Sequence, residues 1–475
     1  MPATSPRYSA RRISTRPCTA TTSCSSRADL EGGDTHTTRR RARPTRGTLT
    51  RYAPHPIRPP DASGMRRMSA ALPEGVRASL PARTTARHGW RDALTHLYAS
   101  WGYQPVDLPA LERYDPNHPR AAQAFKLTDR DGGLLALRSD MTPAVARLVQ
   151  RTYPHLLDPD EVQRPVRLQV AGTVWQAIDP EVTRTREFTQ VGVEFIGVRD
   201  PRADAELIHL ARESIRLVGL RPRVEVGNPG FVKALMDEAD VPEAARERLA
   251  DAIDRKDVGD VRAVLKAAGV PEARGASLLA TPDLYGATHL LRDAERLATG
   301  EASSAALSYL TGTLAEFDDE SELLLDLGMA RRLSYYTGLT FRAYTLDYGQ
   351  PLLGGGRYDG ALLPYAAGFS IGLERLESAL ALGASEPPSA RVLSLDDEAA
   401  QRLRRAGIAV TRAIQTNPQA AREEAKRLAI PWVLSEGALT RTPGIPVSDE
   451  EADLEREDAE RERAHLESIL ADANA

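Results

Sequence analysis

The sequence holds only two cysteines, Cys18 and Cys24, and both lie within its first 68 residues. From residue 69 onward neither a disulfide nor a cysteine-ligated metal is available. Lysine is also scarce: five of the 62 basic residues are Lys. No Gly-Lys pair occurs, which excludes a Walker A phosphate loop, and there is no HExxH zinc motif. Aromatic residues make up only 5% of the chain. No apolar run approaches the roughly 18 residues needed to cross a bilayer, so no membrane-spanning helix and no membrane partner are expected.

What is present is a globular balance: 475 residues, 41% apolar and 27% charged, enough for about two to three domains with a sizeable core. The net charge of −4 is unevenly spread. Residues 1–68 carry fourteen Arg against four acids, and residues 448–475 carry eleven acids against three Arg. The body between them is mildly acidic, which argues against a large nucleic-acid footprint, because phosphate neutralisation needs clustered cations.

Residues 1–68 are rich in Ser, Thr, Pro and Arg without a sustained apolar period, which reads as a disordered leader. A transit peptide, a nucleic-acid-binding arm and a start of translation at Met65 or Met68 are three readings of it; a secretory signal is excluded by the lack of an apolar stretch. Between Thr84 and Trp101 the spacing of Trp90, Ala93, Leu94, Leu97, Tyr98 and Trp101 predicts one helical stripe, closed by Gly102. Thr142 and Pro143 read as the cap and first turn of another helix. Residues 187–198 predict a strand with Val191, Val193 and Phe195 on one face and Gln190, Gly192 and Glu194 on the other. Taken alone, that polar face is either solvent-facing or a surface that a ligand approaches. The expected organisation is a core of residues 69–225 and 323–385, a helical insertion at 226–322, a reduced α/β unit at 386–447 and an acidic tail at 448–475, read as a solvated helix.

Three local patterns invite chemistry. Gly368-Phe369-Ser370-Ile371-Gly372 matches a nucleophile elbow, but the only histidine after it is His465, in the acidic tail, so a hydrolase triad is not supported. Ser370 is read instead as a small residue between close-packed elements. Leu353–Gly360 is a glycine-rich turn without dinucleotide spacing, able to bring backbone close to a small ligand. Tyr335 and Tyr336 follow Arg331 and Arg332 and form either a slot for a planar ligand or an ordinary pair at a strand edge.

Together these pieces carry a resemblance. The ordered segments LRSDMTPAVARLV (137–149), RTREFTQVGVEFIG (184–197), DRKD (254–257), DLGMARRLSYYTG (326–338), GGGRYDG (354–360) and GFSIGLERL (368–376) are similar to the core of histidyl-tRNA synthetase, over about residues 72–382. The resemblance implies a class II aminoacyl-tRNA synthetase-like α+β fold, an antiparallel sheet flanked by helices, and a dimer. In that enzyme the second motif carries an arginine that grips the ATP α-phosphate. The ungapped equivalent here is Gln176, which lacks the charge for a bidentate phosphate contact. The motif-three arginine is retained as Arg375. The synthetase's proline-glutamate-glycine becomes Ser139-Asp140-Met141, and its glycine and carboxylate before the Tyr pair become Arg332 and Ser334.

A damaged ATP side beside a retained amino-acid side resembles the regulatory subunit of ATP phosphoribosyltransferase, a synthetase paralogue. This family implies a non-catalytic chain of the cytoplasm that joins the short-form catalytic subunit in a hetero-oligomer. It serves the first step of histidine biosynthesis and its feedback by histidine. Residues 386–447 hold one Lys, Lys426, where a synthetase's anticodon domain needs clustered cations, so tRNA binding is not expected. The alternatives are histidyl-tRNA synthetase itself and an amino-acid-binding paralogue serving another enzyme. By the resemblance, Asp140 and Thr142 would meet the ligand's α-amino end, and Gln190 and Glu194 its amino group or imidazole. Arg331 would pair with the carboxylate, while Tyr335 and Tyr336 would line the imidazole slot, closed by the Gly354–Gly356 turn. Gln176 and Arg375 mark the degenerate ATP site. No catalytic residue, cofactor or metal is implied.

Overall fold

The computed structural model describes residues 72–158, 164–179, 185–330, 336–346, 348–380, 390–447 and 452–471. The leader and its three readings, together with Arg331, Arg332, Ser334 and Tyr335, lie outside the described residues.

Strand β1 (Gln104–Pro105) comes first. A small antiparallel sheet follows, from β2 (Leu111–Arg113), β3 (Lys126–Thr128) and β4 (Leu134–Leu137), in the order β2-β4-β3. Next in the chain are β5 (Val166–Trp175), β6 (Glu187–Ile196), β7 (Arg223–Gly227), β8 (Tyr285–Gly286) and β9 (Leu323–Asp326). With β10 (Thr340–Thr345), β11 (Tyr348–Arg357) and β12 (Ala366–Gly372) they join β1 in the main sheet, ordered β1-β5-β6-β12-β11-β10-β7-β9-β8. The pairing is antiparallel from β5 through β7, as expected, and parallel in the pairs β1–β5 and β7–β9. The sheet is therefore mixed, with its antiparallel part at the centre.

Period-two alternation gives this centre two unlike faces. On one, Val191, Val193, Leu353, Phe341, Phe369 and Ile371 are almost fully buried. They share a core with residues of the helices Pro81–Ser100 and Pro201–Leu217, and Tyr98 meets Phe369 edge-on at 5.8 Å. Burying each such side chain contributes roughly 1.5–3 kcal/mol. The first helix follows the predicted stripe, with Leu94 and Tyr98 fully buried, and ends before Gly102, whose φ of +87° suits glycine.

The opposite face carries Gln190, Gly192 and Glu194 of β6, Gly368, Ser370 and Gly372 of β12, Gly354 of β11 and Arg342 of β10. The glycine-rich run expected as a turn is thus the end of a strand. Tight packing between strands is the reason: a Cβ on Gly355 would lie 2.4 Å from the Phe369 Cβ. The same glycines that suggested a turn allow β11 and β12 to approach.

Between β7 and β9 the chain is mainly helical, through Pro229–Glu238, Glu243–Asp254, Val258–Ala267, Glu272–Ala280, Leu291–Leu297 and Glu301–Leu314. The C-terminal part holds a second sheet, β13 (Val392–Ser394), β14 (Val410–Arg412), β15 (Trp432–Ser435) and β16 (Ala438–Arg441), in the order β14-β13-β15-β16. The last helix, Ala452–Ala471, is not the solvated tail that its charge suggested. Leu466 is buried among Val392, Trp432 and Leu434, and Glu462 accepts from Arg391 and, at 2.9 Å, from the Trp432 indole. Among the described residues no helix is long and apolar enough to cross a membrane.

Candidate ligand site

A cavity of about 340 Å³ opens on the glycine-rich face of the main sheet. Asp140, Thr142, Gln190 and Tyr336, four of the residues expected to contact ligand, line it together with Gln176 and Arg375. Segments far apart in sequence meet here because β6 and β12 are neighbours and the corner before the helix Thr142–Thr152 packs over them.

That corner is fixed by Arg138, which is buried and donates to the carbonyls of Leu108, Pro109 and Thr173. Asp140 follows and is also buried, its Oδ2 accepting from Arg120 Nε at 2.9 Å. Thr142 does not cap its helix. Met141 occupies the N-cap position and Thr142 is the first helical residue, its hydroxyl donating to Glu194 Oε1 at 2.6 Å. Gln190 is held at both ends of its amide, donating to Ser370 Oγ at 2.6 Å and accepting from the Met141 backbone at 3.3 Å. Ser370 is therefore a partner in the site. It sits within β12 and not on a sharp strand-to-helix turn, which removes the nucleophile-elbow reading.

Glu194 lies behind the cavity wall and reaches it through Thr142 and Tyr358, whose hydroxyls donate to its two oxygens at 2.6 and 2.7 Å. Burial pushes its pKa up to about 7 against the pull of these two donors, and the nearby Asp140 charge adds to the rise. The space for this carboxylate exists because residue 368 is glycine: a Cβ there would stand 2.1 Å from Glu194 Oε2. Tyr336 packs against the cluster containing Met141, Val174 and Tyr358.

At the positions read from the sequence as a degenerate ATP site, the polar side chains bond within the protein. The Gln176 amide, buried, donates to the Ser139 carbonyl at 3.0 Å. Arg375 Nη1 donates to the Pro351 carbonyl at 2.9 Å. Glu374 accepts from Arg87 and from the Thr189 backbone, both at 2.8 Å.

Tyr358, Arg120 and Arg342 line the same cavity and were not singled out from the sequence. Tyr358 had a signal: it follows Arg357 within the GGGRYDG segment, and alternation directs the two to opposite faces. Arg357 pairs with buried Asp204 at 2.9 Å on the far side. Arg120 had none, since it lies twenty positions from Asp140 in an irregular stretch.

The family model described as histidyl-tRNA synthetase matches residues 75–376. The ATP phosphoribosyltransferase regulatory subunit of Thermus thermophilus is 44% identical over 335 residues, covering 70% of this chain and 90% of the relative. That of Deinococcus radiodurans is 44% identical over 361 residues, covering 75% and 86%. A crystal structure of an ATP phosphoribosyltransferase regulatory subunit/histidyl-tRNA synthetase from Bacillus halodurans C is 28% identical, with a TM-score of 0.65, covering 75% of this chain and 96% of that one. Histidyl-tRNA synthetase from Nostoc sp. PCC 7120, at 20% identity and a TM-score of 0.67 over 83% of this chain and 100% of that one, shares the fold.

Proposed function

Because the chain belongs to the ATP phosphoribosyltransferase regulatory subunits, a family built on the histidyl-tRNA synthetase fold, we propose that it joins a short-form catalytic subunit in a hetero-oligomer. There it supports the first step of histidine biosynthesis and conveys feedback by histidine, without a catalytic centre of its own. In this reading it works in the cytoplasm and self-associates as a dimer. The observation that carries the non-catalytic reading is Gln176. A buried neutral amide committed to the Ser139 carbonyl offers no charge to an ATP α-phosphate.

Histidine is the effector in this reading, and the cavity is its site. Asp140 and Thr142 take the α-amino end, and Gln190 and Glu194 take the amino group or the imidazole. Arg331 takes the carboxylate, and Tyr335 and Tyr336 flank the ring. Support comes from the polar wall, whose Asp140, Thr142 and Gln190 are held in place by hydrogen bonds within the protein before any ligand arrives. Feedback is then a coupling of about 1–3 kcal/mol between histidine and the catalytic subunit's substrates, and it is reciprocal.

Affinity co-purification of the tagged chain from its native cells, with mass spectrometry and an RNA assay, tests the assignment. Recovery of a short phosphoribosyltransferase subunit whose activity depends on the assembly is the expected result. Recovery of histidine tRNA without that subunit would identify a divergent synthetase instead.

A further inference from the structure

Three arginines of the described residues line the cavity, and they differ in what they hold. Arg120 is engaged by Asp140 and by Gln123 Oε1 at 3.0 Å, and Arg375 by the Pro351 carbonyl. Arg342 is held loosely. Its Nη1 reaches the Tyr344 hydroxyl at 3.3 Å and the Glu225 carboxylate only at 3.9 Å. Its Nε is buried and has no hydrogen-bond partner among the described residues, although the side chain is only 15% exposed.

The register shows what the side chain faces. Gly192, Ser370, Gly354 and Arg342 form one row across β6, β12, β11 and β10, on the cavity side of the sheet. Neighbouring strands stand about 4.8 Å apart, so the row spans roughly 14 Å. Between its ends lie only a serine and a glycine. A Cβ on Gly354 would find nothing nearer than 3.9 Å, with the Arg342 Cγ at 4.0 Å, so packing within the protein does not require glycine there. It leaves open the space between Arg342 and the Gln190–Ser370 pair.

We infer that Arg342 recognises the α-carboxylate of the free amino acid bound in this cavity, with the open position at Gly354 giving that group access. The inference rests on the histidine reading above and adds a second arginine to the one that reading assigns to the carboxylate. A guanidinium that lines the cavity can meet a carboxylate through a charge-assisted N–H donor. Glu225, held by the Tyr285 hydroxyl at 3.2 Å, stands 3.9 Å from Arg342 Nη1 and balances the charge at a distance.

Calorimetric titration of the full chain with L-histidine and with L-histidinol, which carries a hydroxymethyl group in place of the carboxylate, tests this. The wild-type protein is expected to prefer histidine by about 10- to 100-fold, the range of a charge-assisted hydrogen bond. Arg342→Gln should remove most of that preference by weakening histidine while leaving histidinol within about threefold. Arg342→Lys should retain part of the preference through its charge, and it serves as the test if the glutamine variant does not fold. An Arg342→Gln protein, or in its place an Arg342→Lys protein, that keeps the full preference overturns the inference and leaves the histidine site standing. A wild-type protein that binds neither compound overturns the histidine site and the inference with it.

Discussion

Thr142 donates to Glu194 across 52 residues of chain, tying the first turn of one helix to the centre of the main sheet. The bond, at 2.6 Å, closes the polar floor of the cavity. With Tyr358 donating to the other oxygen at 2.7 Å, it leaves the carboxylate buried yet fully engaged.

Glu194 should make stability pH-dependent. Its pKa is raised from 4.5 to about 7, so the folded protein holds one more proton than the unfolded chain between these values. The contribution of the neutral carboxyl is complete below pH 4.5 and is lost as pH rises through about 7. Glu194→Gln stays neutral throughout and should gain about 3 kcal/mol relative to wild type across that window. Urea unfolding of both proteins at pH 5 and pH 8 measures this; a difference independent of pH contradicts it.

Two adjacent glycines should behave in opposite ways. Gly355→Ala forces a methyl against Phe369 and the Gly368 carbonyl, at 2.4 and 2.5 Å, and should cost about 1–3 kcal/mol or more. Gly354→Ala meets only ordinary contacts and should change stability by less than about 0.5 kcal/mol, while its methyl lowers affinity for histidine. Thermal unfolding paired with ligand titration separates the two outcomes.

The ion pair of Arg357 with Asp204, both nearly inaccessible, should be costly to break and cheap to replace. Arg357→Met leaves a buried carboxylate without its partner and should lose about 3–5 kcal/mol. Adding Asp204→Leu should recover much of that loss. If the double variant is no better than the single, the cost lies in packing and not in the uncompensated charge.

Restoring the phosphate-gripping arginine should not restore chemistry. Neither the wild-type chain nor Gln176→Arg is expected to catalyse histidine-dependent exchange of pyrophosphate into ATP, because Arg375 and Glu374 are also committed to the protein. Exchange appearing in the variant would mean that a single substitution accounts for the lost activity.

Much of this arrangement was legible because it follows short periods. The stripe from Trp90 to Trp101 and the alternation from Val191 to Phe195 specify which faces are buried, and both elements form as expected. The ordered motifs then brought Asp140, Thr142, Gln190 and Tyr336 to one cavity. The failures share a physical cause. Whether three glycines turn or pair depends on a partner strand contributed from elsewhere in the chain. The last helix was misread for a related reason: its net charge hides the few apolar residues that dock it, Leu466 with Ala459, Ile469 and Leu470. Arg120 and Arg342 had no local pattern to betray them.

Consecutive residues on a strand look in opposite directions, and Arg357 and Tyr358 make that geometry useful. Tyr358 touches the Glu194 carboxylate under the cavity, while Arg357 grips Asp204 on the helix Pro201–Leu217. Asp204 in turn accepts from Tyr309 on the helix Glu301–Leu314. The end of β11 therefore joins the carboxylate beneath the cavity to two helices on the far side of the sheet by side-chain hydrogen bonds alone, with no loop between them.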